Sequence, residues 1–282
     1  MQDTIAVIFD FDDTLGPDST SSFLEAAGVD VRWFWRECVD ELIRRGWDPI
    51  PAYLFALLTE SNKRATDHRI RRIEFEKFGN RVRFFPGVTR IFESLRRHVR
   101  SLDANIQVEF YLVSSGIGEI LRHTRIAKNF SAIWACDYEY APDGSIEFPK
   151  NIVSFTDKTR YLFQIAKGLH GPNVFGRPFE VNRKVPEHDL RVPFDRMIFV
   201  GDGYTDVPCF SLIRRHQGIA IGVYDQTSRE KWGRAWGFIE DGRVSNLVPA
   251  DFGRRSALHS SLLMALESIV RRIAVLRTTY QG

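Results

Sequence analysis

The chain's first apolar run, Ile5-Ala6-Val7-Ile8-Phe9, has no polar side and ends in Asp10, Asp12 and Asp13. A run without a polar face reads as a strand covered on both sides, the situation of strands in a parallel sheet. Carboxylates at its carboxyl end repel one another and resist desolvation. A chain with this feature must therefore bring something positive to that sheet edge, or share protons there.

Apolar runs recur at 108–114 (VEFYLVS), 131–136 (SAIWAC), 196–202 (RMIFVGD) and 218–223 (GIAIGV), with helical patterns between them. One face of VTRIFESLRRHV carries Val88, Ile91, Phe92, Leu95 and Val99, and Pro86-Gly87 gives it a sharp start. IGEILRHTRIA follows the second run, and DKTRYLFQIAKG ends on Gly168, a helix stop. A long closing helix sets Leu258, Leu262, Leu266, Ile269 and Ile273 in register. Strands alternating with helices predict an α/β fold, a Rossmann-like, mostly parallel sheet flanked by helices.

Two segments break the alternation. Residues 17–83 read as helical throughout and are too long for a connection. They are expected to form a small helical domain over the sheet edge, inserted after the first strand, with 1–16 and 84–282 as the core. Residues 171–194, rich in Pro and Gly, predict a long loop with room for a short hairpin.

Bulk properties exclude several classes. A net charge of +3 over 282 residues, with arginines scattered among acids, gives no case for a nucleic-acid partner. Cys38, Cys136 and Cys209 lack CxxC spacing and read as buried thiols of a reducing compartment. No apolar stretch approaches the roughly 20 residues that span a bilayer. No basic region precedes an apolar one at the N-terminus, so the expectation is a cytoplasmic protein without a membrane partner.

The chemistry-bearing residues fall at strand ends, where ligands of open α/β sheets bind. Asp10 and Asp12, in extended geometry, point to one side, about 6–7 Å apart. Ser114, Ser115 and Gly116 follow the second strand and offer a hydroxyl and backbone N–H groups. Asp202 and Asp206 follow the fourth, and Lys158 opens a helix. Four carboxylates converging at one edge call for a divalent ion, and oxygen-only ligands favour a hard cation such as Mg²⁺.

In order along the chain, DFDDT (10–14), Ser114, Lys158 and GDGYTD (201–206) resemble the four motifs of the haloacid dehalogenase-like phosphohydrolases. The DGSIEF turn before Lys158 and the helical insert are similar to the phosphoserine phosphatase-like branch. Lys158 is taken in preference to Lys150 because it opens an amphipathic helix, as the family's lysine does. The resemblance implies a Mg²⁺-dependent phosphatase acting on a small phosphomonoester. Asp10 would be the nucleophile, forming an aspartyl-phosphate. Asp12 would be the general acid and then the general base. Asp10, the backbone carbonyl of Asp12, and Asp202 would hold the metal, with Asp206 holding its water or orienting Lys158. Ser114, Ser115, Gly116 and Lys158 would bind the phosphate. The inserted domain would be a cap that opens and closes over Asp10, with Arg32, Trp33, Trp35 and Arg36 as candidate substrate contacts.

Plainer readings stand beside these. Asp13 reads as a solvated or structural acid, and Thr14 as local support for the turn. Asp206 could simply cap the next helix. Cys209 and Phe210 read as core, and His68 and His188 as solvent-facing. Trp33 and Trp35 are too close in sequence to share a helix face, so one belongs to the core. Other activities that fit the same motifs are a phosphotransferase or phosphomutase. A receiver-type phosphoacceptor or a silent binding protein fits less well, given Asp12, GDGYTD and the insert.

Overall fold

The computed structural model describes residues 3–171, 174, 176–227 and 236–279. Its centre is a seven-stranded sheet in the order β4-β3-β2-β1-β5-β6-β7. The strands are β1 (Thr4–Phe9), β2 (Gln107–Ile117), β3 (Phe130–Tyr140), β4 (Ile146–Asn151), β5 (Met197–Gly201), β6 (Ile219–Tyr224) and β7 (Asn246–Pro249). All neighbours pair in parallel except β3 and β4, which form an antiparallel hairpin. The sheet is the α/β, Rossmann-like arrangement expected of the alternating pattern.

β1 owes its central place to its composition. All six of its residues are buried, and it pairs with β2 on one side and β5 on the other. Chain order runs outward from it in both directions, so β1 stands at the point where the strand order reverses. Behind its carboxyl end, Phe9, Phe92, Phe110 and Phe252 pack ring against ring, with centroids 5.1–6.4 Å apart. The helix Val88–Leu102 buries the five residues its periodicity selects. Gly87 precedes it at φ 82°, and a Cβ there would collide with the backbone of Phe252.

The closing helix, Ala257–Thr279, buries Leu258, Leu262, Leu266, Ile269 and Ile273. Arg277 near its end pairs with both Asp3 and Asp103, which fastens it to the amino end of β1. No described helix is long and apolar enough to cross a membrane.

Residues 19–79 are helical, as expected: Ser19–Ala26, a continuous run from Val31 to Arg44, Pro49–Asn62 and Arg72–Gly79. The middle of the second run, Phe34–Val39, is π-helical. These helices lie against the β3–β4 hairpin. The backbone N–H of Arg72 donates to Gly144 O (2.9 Å) and that of Ile146 to Ile70 O (3.0 Å), while Tyr138 Oη donates to Leu54 O (2.7 Å). The described part of 171–194, which excludes 172, 173 and 175, holds short 3-10 turns such as Glu180–Asn182 and no hairpin. The helix expected after β2 is short, Gly118–Arg122, and the chain turns before Ala127.

Candidate active site

The carboxyl ends of β1, β2 and β5 bring the motif residues together. Asp10 continues β1, and its backbone N–H donates to Val200 O of β5 (2.9 Å). Its carboxylate is held from both sides. Phe11 N–H donates to Oδ1 (2.7 Å), and Lys158 Nζ lies 2.9 Å from Oδ2. With both oxygens engaged, the carboxylate cannot rotate freely.

Lys158 is fully buried. It sits in the first turn of the helix Asp157–Lys167 and also donates to Asp206 Oδ1 (2.7 Å) and Thr205 Oγ1 (3.0 Å). Burial opposes its positive charge, but Asp10 and Asp206 outweigh burial and hold the ammonium above its usual range. Lys150, in contrast, is exposed and pairs with Glu139 (2.9 Å).

Asp206 does not cap the helix after it. The N–H groups of that helix receive no side-chain bond from Asp206, whose Oδ2 instead accepts from Gly203 N–H (3.2 Å). Its carboxyl is pushed up to about 6, by burial first, against the lowering effect of Lys158. Asp202 is raised well above the ordinary carboxylate range by burial and then by Asp206, Asp10 and Asp13. Thr14 Oγ1 reaches across to Asp202 Oδ1 (3.4 Å), so its hydroxyl faces the site, while the turn is closed by its backbone N–H to Phe11 O (3.2 Å). Asp13 occupies a left-handed turn position at φ 56° and is half-buried.

Oxygens of Asp10, Asp202 and Asp206 all lie within 4.8 Å of one another, close enough to hold one metal ion. The donor set is oxygen only, and after burial the neighbouring carboxylates Asp206, Asp10 and Asp13 raise Asp202, so three acids crowd this end of the sheet around it. A hard divalent cation fits both observations.

Ser19 N–H donates to Asp12 Oδ1 (2.7 Å). Burial, then the charge of Asp18, raise the Asp12 carboxyl well above the usual range despite the Ser19 bonds.

The ladder between β2 and β3 slips between Val113 and Ile117, and the residues Ser114, Ser115 and Gly116 bulge from it. Ser114 is fully buried, and its Oγ accepts from Gly116 N–H (3.0 Å). A Cβ on Gly116 would stand 2.6 Å from Asp12 Oδ2, so only glycine lets this loop approach the carboxyl. The hydroxyls of Ser19 and Ser115 are buried without a hydrogen-bond partner. The Ser19 hydroxyl lies beside Gly116, 3.5 Å from where a Cβ on that glycine would stand.

The four insert residues part company. Trp35 turns inward: its Nε1 donates to Ser21 Oγ (2.8 Å), and its ring packs on Tyr53 (6.0 Å). Trp33 is exposed, with Lys63 over its ring, and Arg32 and Arg36 are exposed. Tyr53 was not legible from the sequence. Its hydroxyl donates to Ser115 O (2.6 Å), which ties the helix Pro49–Asn62 directly to the bulged loop. Thr205, inside GDGYTD, was likewise unmarked.

No family model matches the chain. An uncharacterized protein of Borreliella burgdorferi is 27% identical over 290 aligned residues, 93% of this chain and 96% of that one. Among solved structures, a phospho-aspartyl intermediate analogue of phosphoserine phosphatase superposes with a TM-score of 0.56 at 14% identity, covering 92% of this chain and 98% of that one. A phosphoserine phosphatase in apo form gives 0.54 at 14% identity, over 86% and 92% of the two chains. A HAD family hydrolase of Salmonella enterica serovar Typhi gives 0.53 at 14% identity, over 80% of this chain and 64% of the hydrolase. Sheet order and these superpositions together give the chain the haloacid dehalogenase-like fold in its phosphoserine phosphatase-like form.

Proposed function

We propose that this protein is a Mg²⁺-dependent phosphomonoesterase that passes a phosphoryl group through Asp10 to water. The observation that carries the reading is the pairing of two carboxyls with opposed environments two residues apart. Asp10 is fixed by a lysine and a backbone N–H, whereas burial pushes the Asp12 carboxyl well above the usual range, favouring its protonated form. Such a division separates nucleophile from acid.

Asp10 attacks phosphorus, and the bond from phosphorus to the alcohol oxygen breaks. Asp12 gives its proton to that oxygen, so the alcohol leaves neutral. Water then attacks the aspartyl-phosphate, Asp12 takes the water's proton, and Asp10 and phosphate are released. Lys158 and the loop Ser114–Gly116 offer positive charge and N–H groups to the transferring oxygens, the main protein contribution in phosphoryl transfer. Asp10, Asp202 and Asp206 would hold the cation, which when bound supplies further charge neutralisation at the phosphoryl group. The phosphoserine phosphatase whose structure carries a phospho-aspartyl analogue supports the same sequence of events here.

Release of inorganic phosphate from a panel of phosphomonoesters in Mg²⁺ tests the reading. It also separates a hydrolase from a phosphotransferase, which would release phosphate only slowly without an acceptor. Asp10→Asn should abolish release, because the amide still accepts from Phe11 N–H but cannot attack. Substantial activity in a folded Asp10→Asn protein would overturn the assignment.

A further inference from the structure

Two side chains hold Ser115 O. Tyr53 Oη donates to it at 2.6 Å, and the Cys136 thiol donates at 3.4 Å. The donors come from different parts of the molecule, Tyr53 from the helical insert and Cys136 from β3. Cys136 is fully buried. Its sulfur accepts from Val153 N–H (3.2 Å), in the segment that leads to the helix of Lys158. The thiol proton then goes to Ser115 O, since the other carbonyl within reach, Val153 O, is farther at 4.0 Å. Burial pushes the thiol up to about 11, which keeps it a donor.

This carbonyl acts on the site through the other end of its peptide. A trans peptide sets its C=O and N–H on opposite edges, and no described peptide bond is cis. Pinning Ser115 O toward Tyr53 and Cys136 therefore turns Gly116 N–H the other way, where it donates to Ser114 Oγ (3.0 Å). Having accepted that N–H, the Ser114 hydroxyl keeps its own proton, which no group among the described residues takes. A relay results: two side-chain donors to the carbonyl, the same peptide's N–H to Ser114, and the Ser114 proton to an oxygen bound there. Each bond in such a chain polarises the next. Turned over, the peptide would face Ser114 with its carbonyl and take the proton that a phosphoryl oxygen needs.

We propose that Cys136 is a positioning residue for phosphate binding, which with Tyr53 fixes the Ser115–Gly116 peptide so that Ser114 offers its proton to the phosphoryl group. The inference rests on the phosphomonoesterase reading, in which Ser114 binds that group.

Ser115–Gly116 is the one Ser–Gly pair in the sequence. Cell-free synthesis with carbonyl-¹³C serine and ¹⁵N glycine therefore leaves a single peptide visible by NMR. Cys136→Ala should move the Ser115 carbonyl resonance upfield, as a carbonyl that loses a donor does. Cys136→Ser, which keeps a donor, should restore part of the shift. Inorganic phosphate in Mg²⁺ should bind Cys136→Ala about threefold more weakly by calorimetry, the yield of one weak hydrogen bond. KM for p-nitrophenyl phosphate should rise in parallel, and Cys136→Ser should recover part of both losses. Combined with Tyr53→Phe, Cys136→Ala should cost more than the product of the single losses, because each donor backs up the other. A thiol that only fills space would lower the folded fraction and kcat while leaving KM and phosphate binding alone. An unmoved carbonyl resonance, unchanged phosphate binding, or equal losses in the Ala and Ser variants overturns the inference. If Cys136→Ala does not fold, Cys136→Val, which fills the space without a donor, takes its place. Failure of the underlying reading appears separately, as no phosphate release by the unsubstituted protein.

Discussion

Lys158 shows how much of the site hangs on one buried cation. It stands between Asp10 and Asp206 with no exposed surface. Removing one member of such a group strands the others, a loss of about 3–5 kcal/mol. Lys158→Met should lose stability on that scale in urea at pH 7, and less at pH 5, where Asp206 can take a proton. A loss that is the same at both values would mean that the ion pairs do not carry the effect. Asp206 also gives the unsubstituted protein a pH signature. Its carboxyl is raised from 3.8 to about 6, so the folded state holds the proton more tightly than the unfolded chain. The stability this supplies is complete below about pH 3.8 and is lost as pH rises through about 6. Asp202 shifts in the same direction. A divalent cation binds the ionised carboxylates, so the rise in Tm on adding Mg²⁺ should grow from pH 4.5 to pH 7.5. An equal rise at both would argue that the cation binds elsewhere. The aspartates, Ser114 and Lys158 were legible as sequence because each follows or opens a periodic element. Ser19, Tyr53 and Thr205 were not, because their positions depend on which elements meet in space.

Among the elements, the five strands that the apolar runs mark are all present, while β4 and β7 escaped the sequence reading. β4 (IEFPKN) is an edge strand with Pro149 inside it and Phe148 exposed, so it lacks both the apolar run and the clean alternation that mark a strand. β7 has only four residues, too few for a period to show. The hairpin that β4 completes is the surface on which the insert rests, so missing it hid how the insert is held. The helix Pro49–Asn62 makes its one direct bond to the bulged loop through Tyr53. Tyr53→Phe should cost about 1 kcal/mol, the net value of a neutral hydrogen bond. It should also lower kcat several-fold, because Ser115 loses the contact that fixes the loop next to Asp12. Chemical denaturation with steady-state kinetics on p-nitrophenyl phosphate checks both. A stability loss with kcat unchanged would make Tyr53 a fastener without influence on the loop.

For the whole molecule, the open question is whether the insert moves as a unit over the site. Its helices share apolar contacts with the core side, for Phe23 packs on Phe75 (4.7 Å) and Phe75 on Tyr138 of β3 (6.3 Å). Backbone bonds from Arg72 and Ile70 to the hairpin and the Arg72–Glu119 ion pair (3.1 Å) add to this attachment. These contacts describe an insert docked on the sheet's hairpin edge. Substrate must nevertheless reach Asp10, and the links that have to part are the Tyr53–Ser115 bond, the hairpin contacts and the Arg72–Glu119 ion pair. Opening should therefore be a sub-global event, less costly than unfolding the sheet. Hydrogen exchange would expose it. Amides of Pro49–Asn62 should exchange faster than those of β1 in the free protein, and should slow when beryllium fluoride and Mg²⁺ fill the site, because a phosphoryl mimic on Asp10 draws the loop Ser114–Gly116 and, through Tyr53, the helix. Amides of β1, buried on both faces in either state, should not change. Equal exchange of the helix with and without the mimic would mean that the insert is a fixed roof.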